Sequence, residues 1–184
     1  MVTADAAVLD EEPLFEIVNG QRVEVPRMGA FATFLANVLA RFLNDFAVPR
    51  RLGFAVIEVL FRLPPVGTSR RPDVAFVGPG DWPDDFGADP AEWEKVPLIA
   101  AEIVSPTNTA AELVEKRNDF FAAGVRHVWI VYPRQQEVEV YDSPAGSRVL
   151  RGDSVLEADD VLPGFRLRID DLFADPYSTP PPSP

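Results

Sequence analysis

Hydrophobic and polar positions alternate along the chain with the period of a helix in two segments and with the period of strands elsewhere. From Met28 to Phe46, apolar residues recur every three or four positions, namely Phe31, Phe34, Leu35, Val38, Leu39, Phe42, Leu43 and Phe46. We expect this helix to pack that stripe against a sheet. A second helix is predicted over Ala110–Ala123, because Thr109 and Glu112 form a capping box and Gly124 is a typical C-terminal residue.

Strand patterns occupy most of the remaining chain and are separated by turn signals. Six segments alternate apolar and polar residues or form short apolar runs: Leu14–Pro26, Phe54–Pro65, Arg70–Gly80, Leu98–Pro106, Val125–Pro133 and Gln136–Asp142. The first is predicted to be a hairpin, because Asn19-Gly20 is a strong turn signal. Ser147–Asp160 predicts a further hairpin or a pair of edge strands, and Val161–Phe173 predicts a final strand with a short helical turn.

The order of these elements predicts an α/β fold, in which a mixed β-sheet is flanked by helices. Leu98–Pro106 is apolar on both faces, which is typical of a central strand covered on both sides. The loop from Gly78 to Val96 is long, and we expect one helical turn within it, around Ala91–Lys95. We expect a single domain over residues 13–174, preceded by a flexible N-terminus over 1–12 and followed by a disordered proline-rich tail over 175–184.

Composition excludes several classes of site and partner. The chain has no cysteine, which excludes thiolate zinc sites and disulfides and fits a reducing cytoplasm. No apolar run approaches the roughly 18 residues of a membrane span, so no membrane partner is expected. The net charge of −12 argues against non-specific nucleic-acid binding, but five arginines between Arg50 and Arg71 allow a local basic surface.

Two charged residues occupy positions where apolar residues are expected. Glu102 lies in the middle of the apolar Leu98–Pro106 strand, and Lys116 lies on the inward stripe of the second helix, in step with Leu113 and Phe120. Taken singly, Glu102 could be a structural acid paired with an arginine, and Lys116 could extend its ammonium group to water. Together they could meet, because the helix begins at the end of the strand and runs back across it.

Asp73 supplies a second carboxylate at the start of the neighbouring strand, directly after Pro72. Two carboxylates and a lysine at a strand end suit metal-assisted phosphodiester hydrolysis, in which the carboxylates hold a divalent ion and the ammonium group stabilises developing charge. With a single histidine, His127, any metal site must use oxygen ligands, which favours magnesium or manganese. His127 itself is predicted to be a core or edge residue of its strand.

Five segments together resemble the Uma-two family of endonucleases, a branch of the PD-(D/E)XK, restriction endonuclease-like nucleases. They are RRPDVAFV (Arg70–Val77), LIAAEIVSPTN (Leu98–Asn108), AAGVRHVWIVYP (Ala122–Pro133), FEIVNGQRVEVP (Phe15–Pro26) and DVLPGFRLRIDDLF (Asp160–Phe173), and a lysine lies in the helix after the second. The resemblance covers about Leu14–Phe173. It implies a restriction endonuclease-like core and a magnesium-dependent or manganese-dependent nuclease site.

The resemblance also implies roles for particular residues. Asp73 matches the aspartate of the PD element, Glu102 matches the acidic residue of the second element, and the Ile103 carbonyl would be a further metal ligand. The usual lysine position is Val104 here, and the resemblance implies that Lys116 replaces that lysine from the helix. Glu16 matches an N-terminal acidic residue that completes the site. Glu58 is a weaker candidate, from its place on an apolar strand face.

Two positions depart from the family pattern without touching these residues. Tyr132 stands where relatives carry an aspartate, and the stretch Pro26–Phe31 lacks a histidine that many relatives carry. The implied partner is nucleic acid, with DNA preferred and RNA left open, and a homodimer is expected for an enzyme that cuts two strands. Two alternatives stay open. One is a catalytically inactive binding or assembly module of the same fold, and the other is a buried ion network without a ligand.

Overall fold

The computed structural model describes residues 13–64, 67–81 and 91–175. The expected flexible N-terminus lies outside the described residues, as do residues 82–90 of the long loop. All but the first residue of the expected proline-rich tail lies outside them as well. No helix in the described ranges is long and apolar enough to cross a membrane.

The described ranges contain twelve strands and three α-helices, besides a short 3-10 helix over Pro79–Asp81. In chain order they are β1 (Phe15–Val18), β2 (Gln21–Glu24), α1 (Ala30–Ala47), β3 (Phe54–Ile57), β4 (Phe61–Leu63), β5 (Thr68–Arg70), β6 (Val74–Val77), β7 (Ile99–Ile103), α2 (Ala110–Ala123), β8 (His127–Tyr132), β9 (Glu137–Ser143), β10 (Gly146–Arg151), β11 (Val155–Leu156), β12 (Leu167–Arg168) and α3 (Ile169–Phe173). The predicted α/β class is confirmed.

A six-stranded mixed sheet forms the centre of the domain. Its strand order is β10-β9-β8-β7-β6-β3, and β7 and β8 are parallel, whereas the other neighbours are antiparallel. Helix α2 connects β7 to β8, as a parallel pair requires a crossover connection. Strand β7 is buried along its whole length, which confirms the prediction of a central strand covered on both faces.

The two faces of the sheet pack against different layers. Ile99, Ala101 and Ile103 face the larger core, which is shared with α1 and α3. Ala100 faces the smaller core, which is shared with Phe120 of α2. Glu102 follows Ala100 by two residues and therefore lies on the α2 face. This alternation is the one that the sequence predicts, and it places a carboxylate under α2.

Helix α1 packs on the sheet through a face that differs from the predicted one. Small residues and leucines are buried, namely Ala32, Leu35, Ala36, Leu39, Ala40, Leu43 and Ala47. Phe31 and Phe34 were predicted to face the core, but they are 61% and 41% exposed, and their rings stack with centroids 6.4 Å apart. Alanines let a helix approach a sheet closely, and this turns the helix away from its bulkiest side chains. The prediction for Phe31 and Phe34 was therefore wrong.

A smaller four-stranded sheet, in the order β2-β1-β5-β4, packs beside the main one. Asn19 and Gly20 both have positive φ angles, which confirms the predicted tight hairpin between β1 and β2. The single strand predicted over Phe54–Pro65 is wrong. Glu58 has a φ of 51°, which ends β3 and sends the chain into the second sheet as β4.

The segment Ala91–Lys95 forms no helical turn, contrary to prediction. Trp93 instead bridges to Phe61 in a parallel fashion, and its backbone exchanges hydrogen bonds with Leu60 and Arg62 at 2.8 and 2.9 Å. Its indole packs edge-on against Phe54 and Phe61. Extended pairing satisfies the backbone groups that a short helix would otherwise use.

The C-terminal part closes the larger core. Strand β10 pairs with β9 and extends the main sheet, whereas β11 pairs with β12, so Ser147–Asp160 holds two edge strands that do not form a hairpin with each other. Helix α3 follows β12 directly, which confirms the predicted final strand and helical turn.

Candidate active site

Asp73 and Glu102 come together through the pairing of two neighbouring strands. Val74 of β6 lies opposite Ala101 of β7, so Asp73, one residue earlier, is next to Glu102. The Oδ2 atom of Asp73 accepts a hydrogen bond from the backbone N–H of Ile103 at 2.6 Å. Pro72 precedes this position and cannot donate a ladder hydrogen bond, which keeps β6 from starting earlier.

Lys116 reaches across from α2 to Glu102. Its Nζ atom lies 3.2 Å from Oε1 and 3.0 Å from Oε2 of Glu102. The Lys116 side chain is only 16% exposed, so it does not extend its ammonium group into bulk water. Glu102 is 3% exposed, and its cationic partner is a lysine, not an arginine. Glu102 is therefore not paired with an arginine, and Lys116 does not extend its ammonium group to water, as each residue taken singly could have done.

The local sequence of α2 fixes where Lys116 projects. The Thr109 side chain accepts a hydrogen bond from the Glu112 N–H, and the Glu112 carboxylate accepts one from the Thr109 N–H. This capping box sets the first turn of the helix. Gly124, with a φ of 100°, ends it. Phe120, four residues after Lys116 and on the same face, is fully buried against the sheet and holds that face inward.

Glu16, from β1, is buried and uses both carboxylate oxygens in the same cluster. Its Oε1 atom lies 3.0 Å from the Lys116 ammonium and accepts the backbone N–H of Arg71 at 2.9 Å. Its Oε2 atom accepts a hydrogen bond from Nη1 of Arg70 at 2.9 Å. The hairpin sheet thus delivers a third carboxylate to Lys116, and three cationic or N–H donors compensate that carboxylate.

Arg70 is a member of the site that sequence reasoning missed. Its side chain is 5% exposed, and it links Glu16 to α2 through Asp119, whose Oδ2 atom lies 2.8 Å from Nε and 2.6 Å from Nη2. It also lies 3.2 Å from a carboxylate oxygen of Glu115. The sequence signals only the acid of this pair, because Asp119 follows Lys116 by one turn and lies near the same helix face. No local pattern links Arg70 to that helix.

Glu58 lies at the edge of the site in a turn, not on a strand face as predicted. Its N–H donates to the backbone oxygen of Asp73 at 3.3 Å, and its own carbonyl accepts a hydrogen bond from Nη1 of Arg71. Its left-handed backbone conformation positions both groups. Glu58 therefore contacts the site chiefly through its main chain.

The three buried carboxyl groups differ in how well their charge is compensated. Burial raises the pKa of Glu102 to about 8, because Lys116 offsets only part of the desolvation and Asp73 and Glu16 add repulsion. Burial also raises the pKa of Asp73 to about 6, against the opposing hydrogen bond from Ile103. For Glu16, Lys116 and the Arg71 N–H, together with Arg70, outweigh burial and lower its pKa.

Lys116 stays protonated in this cluster. Burial favours the neutral amine, but Glu102 and Glu16 outweigh it and raise the pKa of Lys116 above its usual range. The cluster therefore holds a fixed ammonium group, one well-compensated carboxylate (Glu16), and two buried carboxyl groups whose desolvation is only partly compensated. A bound divalent cation would add positive charge beside Asp73 and Glu102.

A cavity of about 300 Å³ opens onto these groups. Its lining includes charged residues, among them Glu16, Glu58, Arg70, Arg71, Asp73, Glu102, Glu115 and Lys116, and apolar residues, among them Leu14, Val18, Val23, Met28 and Ala32. No group of three or more His, Cys, Asp or Glu side chains in the described ranges is arranged to hold a metal. The Asp73 and Glu102 carboxylates and the Ile103 carbonyl stay predicted metal ligands, and all three residues line this cavity.

His127 lies away from this cavity, at the other end of β8. It pairs with Ile99, whereas Glu102 pairs with Ile130. Its ring nitrogens lie 2.8 Å from Asp142 and 2.5 Å from Asp160, and it is buried, as predicted for a core or edge histidine. Tyr132, which stands where relatives carry an aspartate, donates a hydrogen bond from its hydroxyl to Glu139 at 3.2 Å and does not line this cavity.

Comparison with known proteins gives a family and a shared fold. Residues 5–170 match the sequence profile of the Uma2 family, described as "Putative restriction endonuclease". No curated protein matches the chain. A solved structure of a protein from Anabaena variabilis, described as "a putative nuclease belonging to DUF820", superposes with a TM-score of 0.77 and 20% identity, and the match covers 89% of this chain and 91% of that one. At this identity the likeness shows a shared fold. Because the profile spans most of its length, the chain belongs to the Uma2 family of restriction endonuclease-like nucleases.

Proposed function

We propose that this chain is a metal-dependent endonuclease that hydrolyses phosphodiester bonds of nucleic acid. One observation carries the proposal: Asp73, Glu102 and Lys116 line a single cavity, and the positive charge nearby only partly offsets the burial of the two acids. Functional sites often hold groups with such perturbed pKa values. Membership of a nuclease family supplies the reaction class.

In this proposal each residue has a distinct role. Asp73, Glu102 and the Ile103 carbonyl hold a divalent cation, magnesium or manganese. Such an ion, when bound, lowers the pKa of a water and neutralises charge on the scissile phosphate. Lys116 presents its ammonium group to the attacking water or to the charge that develops in the transition state. Glu16 keeps Lys116 charged and in place, since its own oxygens are already engaged.

The proposal extends to the partner and the assembly. DNA is the preferred substrate, with RNA as the alternative that the assay below tests. Two active sites would let both strands of a duplex be cut in one encounter, so we propose a homodimer, which light scattering coupled to size exclusion would detect. We also propose that the protein acts in the cytoplasm, since the chain has no cysteine that would need an oxidising compartment.

A second candidate is a catalytically inactive module that binds or assembles through the same fold. The observation that favours it is the saturation of Lys116, whose ammonium group contacts carboxylates of both Glu102 and Glu16. A closed ion network of this kind has no open group for a substrate. Metal titration separates the two candidates, because the inactive module would bind neither magnesium nor manganese at millimolar concentration.

The direct test is cleavage of plasmid DNA, single-stranded DNA and RNA by the purified protein, with magnesium, with manganese and with EDTA. We expect cleavage only with metal, and a loss of at least about 100-fold in rate for Asp73→Asn, Glu102→Gln and Lys116→Ala, since each removes a group that acts on the reacting atoms. Arg151→Gln is the control. Arg151 lies on the edge strand β10, its side chain is 72% exposed, and it forms an ion pair with Glu137 of β9. Full activity in all three site variants would reject the assignment.

A further inference from the structure

A phosphodiester substrate needs a cation that can approach the phosphate, and the cavity offers few. Four cationic side chains line it: Arg27, Arg70, Arg71 and Lys116. Lys116 contacts Glu102 and Glu16, and Arg70 contacts Glu16, Asp119 and Glu115. Arg27 has an interaction partner as well. Lys116 and Arg70 are therefore each in contact with at least two carboxylates of the protein.

Arg71 differs from these residues in its contacts. Within the described ranges, its side chain makes one hydrogen bond, which Nη1 donates to the backbone carbonyl of Glu58. Its Nε atom is buried without a partner, and no carboxylate in the described ranges forms an ion pair with it. The side chain is half-buried. Arg71 thus presents a guanidinium whose charge has no anionic partner in contact.

The backbone around Arg71 holds it in register with the proposed metal ligands. Arg71 and Asp73 flank Pro72 and both line the cavity. The Arg71 N–H donates to Glu16 at 2.9 Å, so the main chain at this residue is fixed to the acid that supports Lys116. The left-handed turn at Glu58 holds the guanidinium from the other side, and its N–H bonds the backbone of Asp73. Glu16 thus fixes the main chain of Arg71, and the Glu58 carbonyl holds its guanidinium.

We propose that Arg71 is the phosphate-binding residue of this site and contacts a non-bridging oxygen of the scissile phosphodiester. The inference rests on the proposed nuclease function. A planar guanidinium suits phosphate because it can donate two parallel hydrogen bonds to two oxygens. It also explains how a chain with a net charge of −12 could accept a polyanion, since the attraction is concentrated at the reacting group.

The simpler alternative is that Arg71 only holds the Glu58 turn. A structural role of that kind would change the stability of the protein, but it would leave unchanged the number of phosphate contacts that a bound nucleic acid makes. The dependence of the dissociation constant on salt reports that number, because each phosphate contact releases counterions. The salt slope therefore separates the two roles.

The experiment measures fluorescence anisotropy of a fluorescein-labelled 20-nucleotide DNA, single-stranded and as a duplex, titrated with protein in the Glu102→Gln background, which avoids cleavage. Arg71→Gln is compared with Arg151→Gln, which removes the same charge from a distant strand. We expect Arg71→Gln to weaken binding by roughly 5-fold to 50-fold and to reduce the salt slope by about 0.7 for the single strand. Arg151→Gln should leave both unchanged.

Arg71→Lys guards against a folding defect, because it keeps the charge and a donor for the Glu58 carbonyl. In the Glu102→Gln background it should retain the salt slope, and with wild-type Glu102 restored it should lose about 10-fold in kcat/KM, since one ammonium group cannot make two parallel bonds. If wild-type protein cleaves DNA but Arg71→Gln and Arg151→Gln bind alike, or Arg71→Lys keeps full kcat/KM, the inference is wrong and the proposed function stands. If the wild-type protein neither binds nor cleaves nucleic acid, the proposed function fails and the inference fails with it.

Discussion

The ammonium nitrogen of Lys116 lies 3.2 and 3.0 Å from the two carboxylate oxygens of Glu102, and both side chains are largely shielded from water. Such a pair is costly to break, because removing one partner leaves the other buried without compensation. The pair also connects α2 to the central strand at the point where Asp73 approaches. Several of its consequences can be measured.

The first prediction concerns coupling between the two residues. Lys116→Met should destabilise the protein by about 3 kcal/mol, since Glu102 and Glu16 lose their shared ammonium group. The double variant Lys116→Met with Glu102→Gln should lose clearly less than the sum of the single changes, because it removes opposite charges together. Urea unfolding of the four proteins above about pH 8, where Glu102 is ionised, gives the interaction energy.

Arg41→Met is the control for this cycle. Arg41 forms an ion pair with Asp45 at 3.9 Å on the exposed side of α1, and such pairs contribute about 0 to 1 kcal/mol. A Lys116→Met cost no larger than that of Arg41→Met would show that the buried contact does not stabilise the fold.

The second prediction concerns the pH dependence of stability without metal. The folded protein holds protons on Glu102 up to about pH 8 and on Asp73 up to about pH 6, above their ordinary values of 4.5 and 3.8. From pH 4.5 to about 8 for Glu102, and from pH 3.8 to about 6 for Asp73, the folded state binds more protons than the unfolded state. The free energy of unfolding therefore falls as pH rises through these ranges. The expected loss from pH 4.5 to pH 8.5 is on the order of a few kcal/mol. Glu16, whose pKa is lowered, acts in the opposite direction and only in more acidic solution.

Glu102→Gln isolates this effect, because the amide imitates a protonated carboxyl at every pH. Thermal or urea unfolding in EDTA should show the variant close to the wild type at pH 4.5 and more stable than the wild type at pH 8.5. A difference between the two proteins that does not change with pH would contradict the raised pKa of Glu102.

The third prediction concerns metal binding. Manganese at 100 times its dissociation constant should stabilise the wild-type protein by about 2.7 kcal/mol, because it binds the folded state alone. Differential scanning calorimetry with and without EDTA should show the rise in Tm. Asp73→Asn should lose most of the increase, since it removes one of two carboxylate ligands. An equal shift in Asp73→Asn would place the ion elsewhere.

The fourth prediction concerns the edge of the main sheet. Asn44 of α1 accepts a hydrogen bond from the Ala55 N–H at 2.7 Å and donates one to the Ala55 carbonyl at 3.1 Å, which satisfies the outer groups of edge strand β3. Asn44→Ala should cost about 1–3 kcal/mol, because it leaves partly buried backbone groups without partners. Asn37→Ala, on the exposed side of the same helix, should cost less than about 0.5 kcal/mol. Chemical denaturation of the two variants makes the comparison, and equal costs would contradict it.

The sequence alone determined the features that depend on neighbouring residues. The hairpin follows from Asn19-Gly20, the start of α2 from its capping box, and the face of Glu102 from the two-residue period of a strand. The contact between Glu102 and Lys116 follows from the same local rules, because a helix that leaves the end of a strand runs back over it. That contact is present in the structure, whereas the roles of the two residues in catalysis stay a prediction.

Only the tertiary structure decided how distant segments meet. Arg70 joins Glu16 across 54 residues and Asp119 across 49, and no periodicity in the chain encodes such distances. The break at Glu58 and the outward position of Phe31 depend on how closely α1 and the second sheet approach the main one. Local periods specify which face a side chain takes, but packing of whole layers determines which faces come together. The cluster around Lys116 is therefore half predictable: its strand and helix members come from local pattern, and the carboxylate and guanidinium from the hairpin sheet come from the fold.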